Sequence, residues 1–269
     1  MNKILIVGSK GYIGNILSKK IIEKNKKIEL FLDKKKDIRK KKNWQKFPKS
    51  NCLIFLAGIS SIKKSLDDPF NCFDVNLNGI INALNYCKIH NSRLIFLSSA
   101  ACKFSEKKTN PYQKSKNLSE NICQFYSSFY NIDISILRLF NVYGNNQTFD
   151  FLIPSLINQV ENKKNITVKN LESKRDYIFV DDVCDAIIAC INYKNKFNIF
   201  EIGTGKNYSV QQVIDIIQKI KKTNLPVKNL NSDIFNSVKF SKANNKSAKK
   251  ILKWQPKYTL EQGLRKFIK

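Results

Sequence analysis

Six short runs of consecutive apolar residues punctuate this chain: KILIVG at 3–8, KIELFLD at 27–33, NCLIFLAG at 51–58, RLIFLSS at 93–99, DISILRLF at 133–140 and NIFEIGTG at 198–205. Between them lie longer stretches with helical spacing of apolar positions, opening near Tyr12, Phe70 and Pro111. A strand that is apolar at every position is buried on both faces, and strands that alternate with helices pair in parallel. The pattern predicts an α/β fold, a doubly wound parallel sheet covered by helices on both sides. Residues 1–144 and about 176–230 carry the rhythm. Residues of about 145–175 and 231–269 break it and are expected to form a small C-terminal lobe over the strand ends, where ligands of such sheets bind.

At 269 residues and 42% hydrophobic composition the chain can bury a sizeable core. No apolar run reaches the eighteen or so residues that cross a bilayer, and Ile4–Val7 is too short for a signal sequence, so a cytoplasmic, non-membrane protein is expected. The seven cysteines (52, 72, 87, 102, 123, 184, 190) show no Cys-x-x-Cys spacing, and His90 is the one histidine, which points to reduced, buried thiols and no metal site. A net charge of +27 raises nucleic-acid binding. The lysines are spread along the chain, however, and the triplets Lys34–Lys36 and Lys40–Lys42 lack interleaved aromatics, so no specific nucleic-acid site is expected. An anionic small substrate would benefit from the same charge.

The first run passes directly into Gly8-Ser-Lys-Gly11-Tyr-Ile-Gly14. Glycines between a strand and a helix allow a tight turn and close approach of a pyrophosphate to the helix N-terminus. Asp33 ends the next strand, where a carboxylate accepts hydrogen bonds from ribose hydroxyls and repels a 2′-phosphate. That favours NAD, while Lys34–Lys36 leave NADP open. Further on, Asn110-Pro-Tyr-Gln-Lys-Ser-Lys116 reads as a helix start with Asn110 as N-cap and Pro111 at the first helical position. Tyr112 and Lys116 then share one face. Taken alone, such a pair also suits an ordinary solvated helix.

Taken together the motifs resemble, in order and nearly end to end, the extended short-chain dehydrogenase/reductases of the NAD-dependent epimerase/dehydratase family, Rossmann-fold enzymes most of which act on nucleotide sugars. GSKGYIG resembles the family's GxxGxxG, LAGISS its LAA stretch, DDPFNCFDVNLNG its DP…VNxxG, and LSSAA its serine-bearing strand end. PYQKSK resembles YxxxK, RLFNVYG its RxxNVYG, KRDYIFVDDVCDA its RDFVxVDD and FEIGTGKNYSV its NxGxG. The resemblance implies cofactor contacts from Gly8, Gly11, Tyr12, Ile13, Gly14 and Asp33, from Leu56, Ala57 and Gly58 within a lining that runs to Ser60, and from Asn76, Ser98 and Phe140. It implies Ser99, Tyr112 and Lys116 as the catalytic unit, with Ser98 the alternative to Ser99. Asn141 and Arg175 would hold the diphosphate of the sugar nucleotide, the lobe being substrate-binding. Asn141 also suits a plain turn and Arg175 an ion pair with Asp176. Tyr112 would take the proton from a sugar hydroxyl, its phenolate stabilised by Lys116 and a cationic nicotinamide ring.

Three stretches depart from the family pattern. Cys102-Lys103-Phe104 stands where Val-Tyr-Gly is frequent, only eighteen residues separate Asp33 from Cys52, and an arginine common near the C-terminal segment is absent, with Lys239 as a substitute point charge. Ala100 and Ala101 occupy the positions of a dehydratase's acid and base. The expected activity is 4-epimerisation of a nucleotide-diphosphate sugar with NAD. The alternatives are NAD(P)H-dependent reduction of a 4-keto-6-deoxy sugar nucleotide, a cofactor-binding protein without catalysis, or an RNA-binding derivative. Apolar outer positions on the helices near Phe70 and Tyr112 suit the seam of a homodimer.

Overall fold

The computed structural model describes residues 2–24, 28–33, 37–104, 109–230 and 240–268; Lys34–Lys36 and Lys239 lie outside the described residues. Five strands, β1 (Asn2–Val7), β2 (Ile28–Leu32), β3 (Cys52–Phe55), β4 (Arg93–Ser99) and β5 (Ile134–Leu139), join the strand Phe197–Ile202 in one parallel sheet. Their order across it is Phe197–Ile202, β5, β4, β3, β1, β2. In register, Ile4 faces Leu30 on one side and Cys52 on the other, and Leu53 faces Leu94. Every residue of β3 is buried, which is why its sequence is apolar without alternation. β2 is an edge strand, only half-buried, and tolerates Glu29 within it. No further strand is described between Leu32 and Cys52; the short helix Lys41–Trp44 occupies that interval and drives Trp44 into the core, its indole donating to the Ile38 carbonyl at 2.8 Å.

The chain divides into two compact units, residues 1–138 with 184–200, and 139–183 with 201–269. The first is the sheet unit, with a core that includes Leu5, Phe55, Leu84, Phe96 and Ile136. The second has its own core, including Leu156, Ile166, Phe179, Ile214 and Leu264. Residues 139–144, 176–183 and 201–230 follow the βα rhythm in sequence. Tyr143, Phe179, Val213, Ile214 and Ile217 from these stretches nevertheless pack into the second core. The reason is the amphipathic helix Val210–Lys221, opened by a Ser209/Gln212 capping box, whose apolar stripe packs against the helix Leu152–Asn162.

Two buried carboxylates tie the second unit together. Asp176 accepts from the Thr204 amide (2.8 Å), the Thr204 hydroxyl (2.7 Å), the Gly205 amide (2.8 Å) and the Ala243 amide (3.1 Å). Asp182 accepts from the amides of Lys257 and Tyr258. All seven cysteines are buried and none is in a disulfide. Among the described residues no helix is long and apolar enough to cross a membrane. Phe70, Ile89, Phe125 and Phe129 stand exposed on the sheet unit.

Candidate active site

The glycine-rich turn is built by close backbone approach. Gly8 sits at φ +92°, and a Cβ on it would lie 2.6 Å from the Ala57 amide nitrogen, so β1 and the loop after β3 meet there only because Gly8 has no side chain. The Gly11 amide donates to the Gly8 carbonyl at 3.0 Å, and Tyr12 and Ile13 open the helix Tyr12–Lys24 directly after the turn. Asp33 lies buried beside this turn. Its Oδ1 accepts from the Ser9 amide at 2.8 Å and the Ser9 hydroxyl at 2.5 Å, which fixes the carboxylate against the turn. A tight glycine turn, a helix N-terminus and an adjacent anchored carboxylate fit the pyrophosphate and ribose of a dinucleotide. Ser9 was not among the residues singled out from the sequence. It occupies a variable position of the glycine motif and gives no signal of its own.

The helix Pro111–Tyr130 starts as its sequence dictates. The Asn110 side chain accepts from the Gln113 amide at 2.9 Å, Gln113 reaches back to the Asn110 amide at 3.2 Å, and Pro111 takes the first position. This puts Tyr112 and Lys116 against the end of β4. The Ser99 hydroxyl acts on the Tyr112 phenol in the direction that lowers its pKa, and it accepts from the Ala101 amide at 3.2 Å. The Lys116 ammonium is buried, donates to the Leu97 carbonyl at 2.9 Å and lies 4.8 Å from the centre of the Phe96 ring. Burial pushes the Tyr112 phenol up to about 12 against the lowering effect of Ser99, and presses Lys116 down to about 8. A lowered phenol therefore requires further positive charge beside the ring.

Ser98 points the other way. Its hydroxyl donates to Glu120 at 2.5 Å and lies 3.4 Å from the Cys102 sulfur, which leaves Ser99 as the hydroxyl beside Tyr112. Asn76 sits in a π-helical turn, Asp74–Asn78, a geometry frequent at functional sites. Its amide is fully engaged: Oδ1 accepts from the Ile59 amide at 2.8 Å, and Nδ2 donates to the Ile59 carbonyl at 3.1 Å and to the Ser115 hydroxyl at 2.8 Å. Asn76 thus links the loop after β3 to the helix of Tyr112 through its own side chain. Gly58, at φ +151°, makes room for it, since a Cβ there would lie 2.7 Å from Asn76 Oδ1. Leu56 and Ala57 line the same loop, half-buried, with the Leu56 amide donating to the Val7 carbonyl at 2.9 Å.

In the second unit, Phe140 is buried, and Asn141 donates both its amide and its Nδ2 to the Asp176 carbonyl at 3.0 Å. Arg175 is half-buried and donates to the Lys174 carbonyl at 3.0 Å. Its neighbour Asp176 is taken up by Thr204, Gly205 and Ala243, so the Arg175–Asp176 ion pair does not form. The guanidinium stays near the buried Tyr177 phenol, which has no hydrogen-bond partner. Among the described residues no group of histidine, cysteine and carboxylate side chains has metal-binding geometry.

Residues 4–203 match the NAD dependent epimerase/dehydratase family. A UDP-glucuronate 4-epimerase of Thermodesulfobacterium geofontis is 27% identical over 234 residues, covering 81% of this chain and 71% of that protein. A dTDP-4-dehydro-6-deoxyglucose reductase of Escherichia coli is 24% identical over 309 positions, covering 100% of this chain and 97% of that protein. The crystal structure of a UDP-glucose 4-epimerase from Thermotoga maritima with UDP-glucose has the same fold, with a TM-score of 0.88 at 21% identity over 100% of this chain and 97% of that one. With the family match spanning most of the chain, from the glycine turn past Arg175, this protein belongs to the NAD dependent epimerase/dehydratase family and is an NAD-dependent enzyme of the extended short-chain dehydrogenase/reductase class.

Proposed function

We propose that the chain inverts the configuration at C4 of a nucleotide-diphosphate hexose through a transient 4-keto sugar. The observation that carries this reading is the helix that places Tyr112 and Lys116 one turn apart against the end of β4, where Lys116 donates to the Leu97 carbonyl and Ser99 follows. The relatives named as 4-epimerases support it. The glycine turn and Asp33 would hold NAD, which would supply a hydride acceptor and a positive charge. Tyr112 then takes the proton from the C4 hydroxyl as the hydride leaves and returns it after the keto sugar has presented its other face. Ser99 orients the reacting oxygen, and Lys116 keeps a cation behind the phenol. Arg175 offers a planar fork to the diphosphate, and Asn141, pinned on the Asp176 carbonyl, stands in the strand that pairs with Tyr177–Phe179.

A second reading is reduction of a 4-keto-6-deoxy sugar nucleotide. It is favoured by the full-length match to the reductase and by the short stretch between Asp33 and Cys52, in which no further strand is described and which would let a cofactor exchange each cycle. Dehydration across C5 and C6 is disfavoured, because Ala100 and Ala101 present methyl groups where that reaction needs an acid and a base. The test is to mix the protein with UDP-, dTDP- and GDP-hexoses without added reductant and follow C4 by NMR. A C4 epimer is expected and a 4-keto-6-deoxy product is not. Absence of any epimer, together with NADH or NADPH oxidation on a 4-keto-6-deoxy sugar nucleotide, would replace the first reading with the second.

A further inference from the structure

The helix Pro111–Tyr130 carries a third polar residue on the face of Tyr112 and Lys116. Glu120 lies one further turn along, is 5% exposed, and is held from two sides. Arg138 on β5 meets it through Nε, at 3.0 and 3.1 Å from its two oxygens, and through Nη2 at 2.6 Å. The Ser98 hydroxyl donates to it from the end of β4 at 2.5 Å. Two links therefore fasten the β4 end to this helix: Lys116 to the Leu97 carbonyl, and Ser98 to Glu120. Ser99, the next residue, owes its place beside Tyr112 to both. A buried carboxylate this completely satisfied is costly to assemble, and its partners sit at the reacting end of the strand.

The groups that act on the Lys116 ammonium are the thiols of Cys72, Cys102 and Cys123 and the Glu120 carboxylate. Burial holds each of these thiols above its ordinary value, so they stay neutral at pH 7. That leaves Glu120 as the anion of the set, with Arg138 opposing it from β5. We propose that Glu120 is a positioning residue of the reaction: clamped by Arg138, it fixes the Ser99 strand end through Ser98 and keeps a negative charge one turn from Lys116. This rests on the reading of Ser99, Tyr112 and Lys116 as the catalytic unit. Removing the negative charge makes the buried ammonium less favourable, so Lys116 gives up its proton at lower pH.

The experiment compares wild type with Glu120→Gln, Glu120→Asp and Ser98→Ala, each checked for folding by circular dichroism. In Glu120→Gln, kcat should fall about tenfold with KM within about twofold, and the alkaline limb of the kcat profile should move down by about one pH unit. Glu120→Asp, which keeps the charge, should keep the limb in place. Ser98→Ala should lower kcat without moving it. Isotope-labelled lysine gives a second readout that needs no substrate: the Lys116 NMR signal, identified by its loss in Lys116→Met, should titrate lower in Glu120→Gln. If Glu120→Gln does not fold, the pair Glu120→Gln with Arg138→Lys, which keeps the opposing cation, is read in the same way. A wild-type Lys116 titration and kcat profile in a folded variant lacking the Glu120 charge overturns the proposal. So does a loss of kcat and KM together with no movement of the titration. A wild type inactive on every sugar nucleotide would defeat the proposed function, while the lysine titration would still decide this one.

Discussion

At the scale of single residues, Tyr112 is the group proposed to carry the chemistry, and its environment in the protein alone works against it. Burial favours the neutral phenol and outweighs the lowering effect of Ser99. On the proposed function NAD would supply the cation that reverses this, because a positive charge favours the phenolate, each pKa unit being worth about 1.4 kcal/mol. Ultraviolet titration should therefore show the Tyr112 phenol, isolated as the difference between wild type and Tyr112→Phe, ionising at lower pH with NAD than without it. An unmoved titration would mean that Tyr112 does not sit beside the nicotinamide. The same substitution tests the reaction directly: Tyr112→Phe should lower turnover by about a hundredfold or more, the scale of a lost general acid and base, and leave the urea midpoint close to that of wild type. Turnover within a few fold of wild type would remove Tyr112 from the mechanism.

At the scale of elements, the sheet strands were legible because burial on both faces leaves no polar positions in β3 and little alternation in its neighbours. The helix of Tyr112 was legible because Asn110, Pro111 and Gln113 spell its start. Side chains that act between elements were not, since Ser9, Glu120 and Asp176 find partners 18 to 67 positions away, which no local pattern encodes. Arg93 is of the same kind. It reads as the polar start of an apolar strand, yet its guanidinium is buried and donates through Nη1 to the carbonyls of Cys190 and Ile191, each at 2.8 Å, and through Nη2 to the Ser135 hydroxyl at 3.1 Å. It closes the C-terminal end of the helix Val180–Ile191, where carbonyls lack intrahelical partners and a cation is favoured. Arg93→Met should cost about 2 to 4 kcal/mol in urea unfolding, because those buried acceptors lose their donors. Arg93→Lys should recover only part of it, lacking the planar fork. A loss below about 0.5 kcal/mol for Arg93→Met would show that these bonds contribute nothing net.

At the scale of the whole molecule, all seven cysteines fall in the sheet unit, so that what reads in the sequence as a scatter of thiols becomes in the fold a pH response. Burial raises the thiols of Cys52, to about 12, and of Cys72, Cys87, Cys102 and Cys190 above their ordinary value near 9. Cys123 is raised as well. Between about 9 and these raised values the native state keeps protons that the unfolded chain has released, so stability falls as pH rises through that window. Lys116 contributes with the opposite sign. Its folded value of about 8 lies below the ordinary 10.5, so the native state binds fewer protons than the unfolded chain between the two, and stability rises there. Several thiols outweigh one lysine once the pH passes 9. Each contributes at most about 1.4 kcal/mol per pH unit, so the urea midpoint, measured with excess reductant, should change little between pH 7 and 8.5 and drop steeply between 9 and 11. Lys116→Met removes the opposing slope and should steepen the fall, whereas Cys52→Ala should flatten it. A midpoint that holds or rises to pH 11 would mean that the thiols ionise in the native state, and that the core around them is wetter than their burial implies.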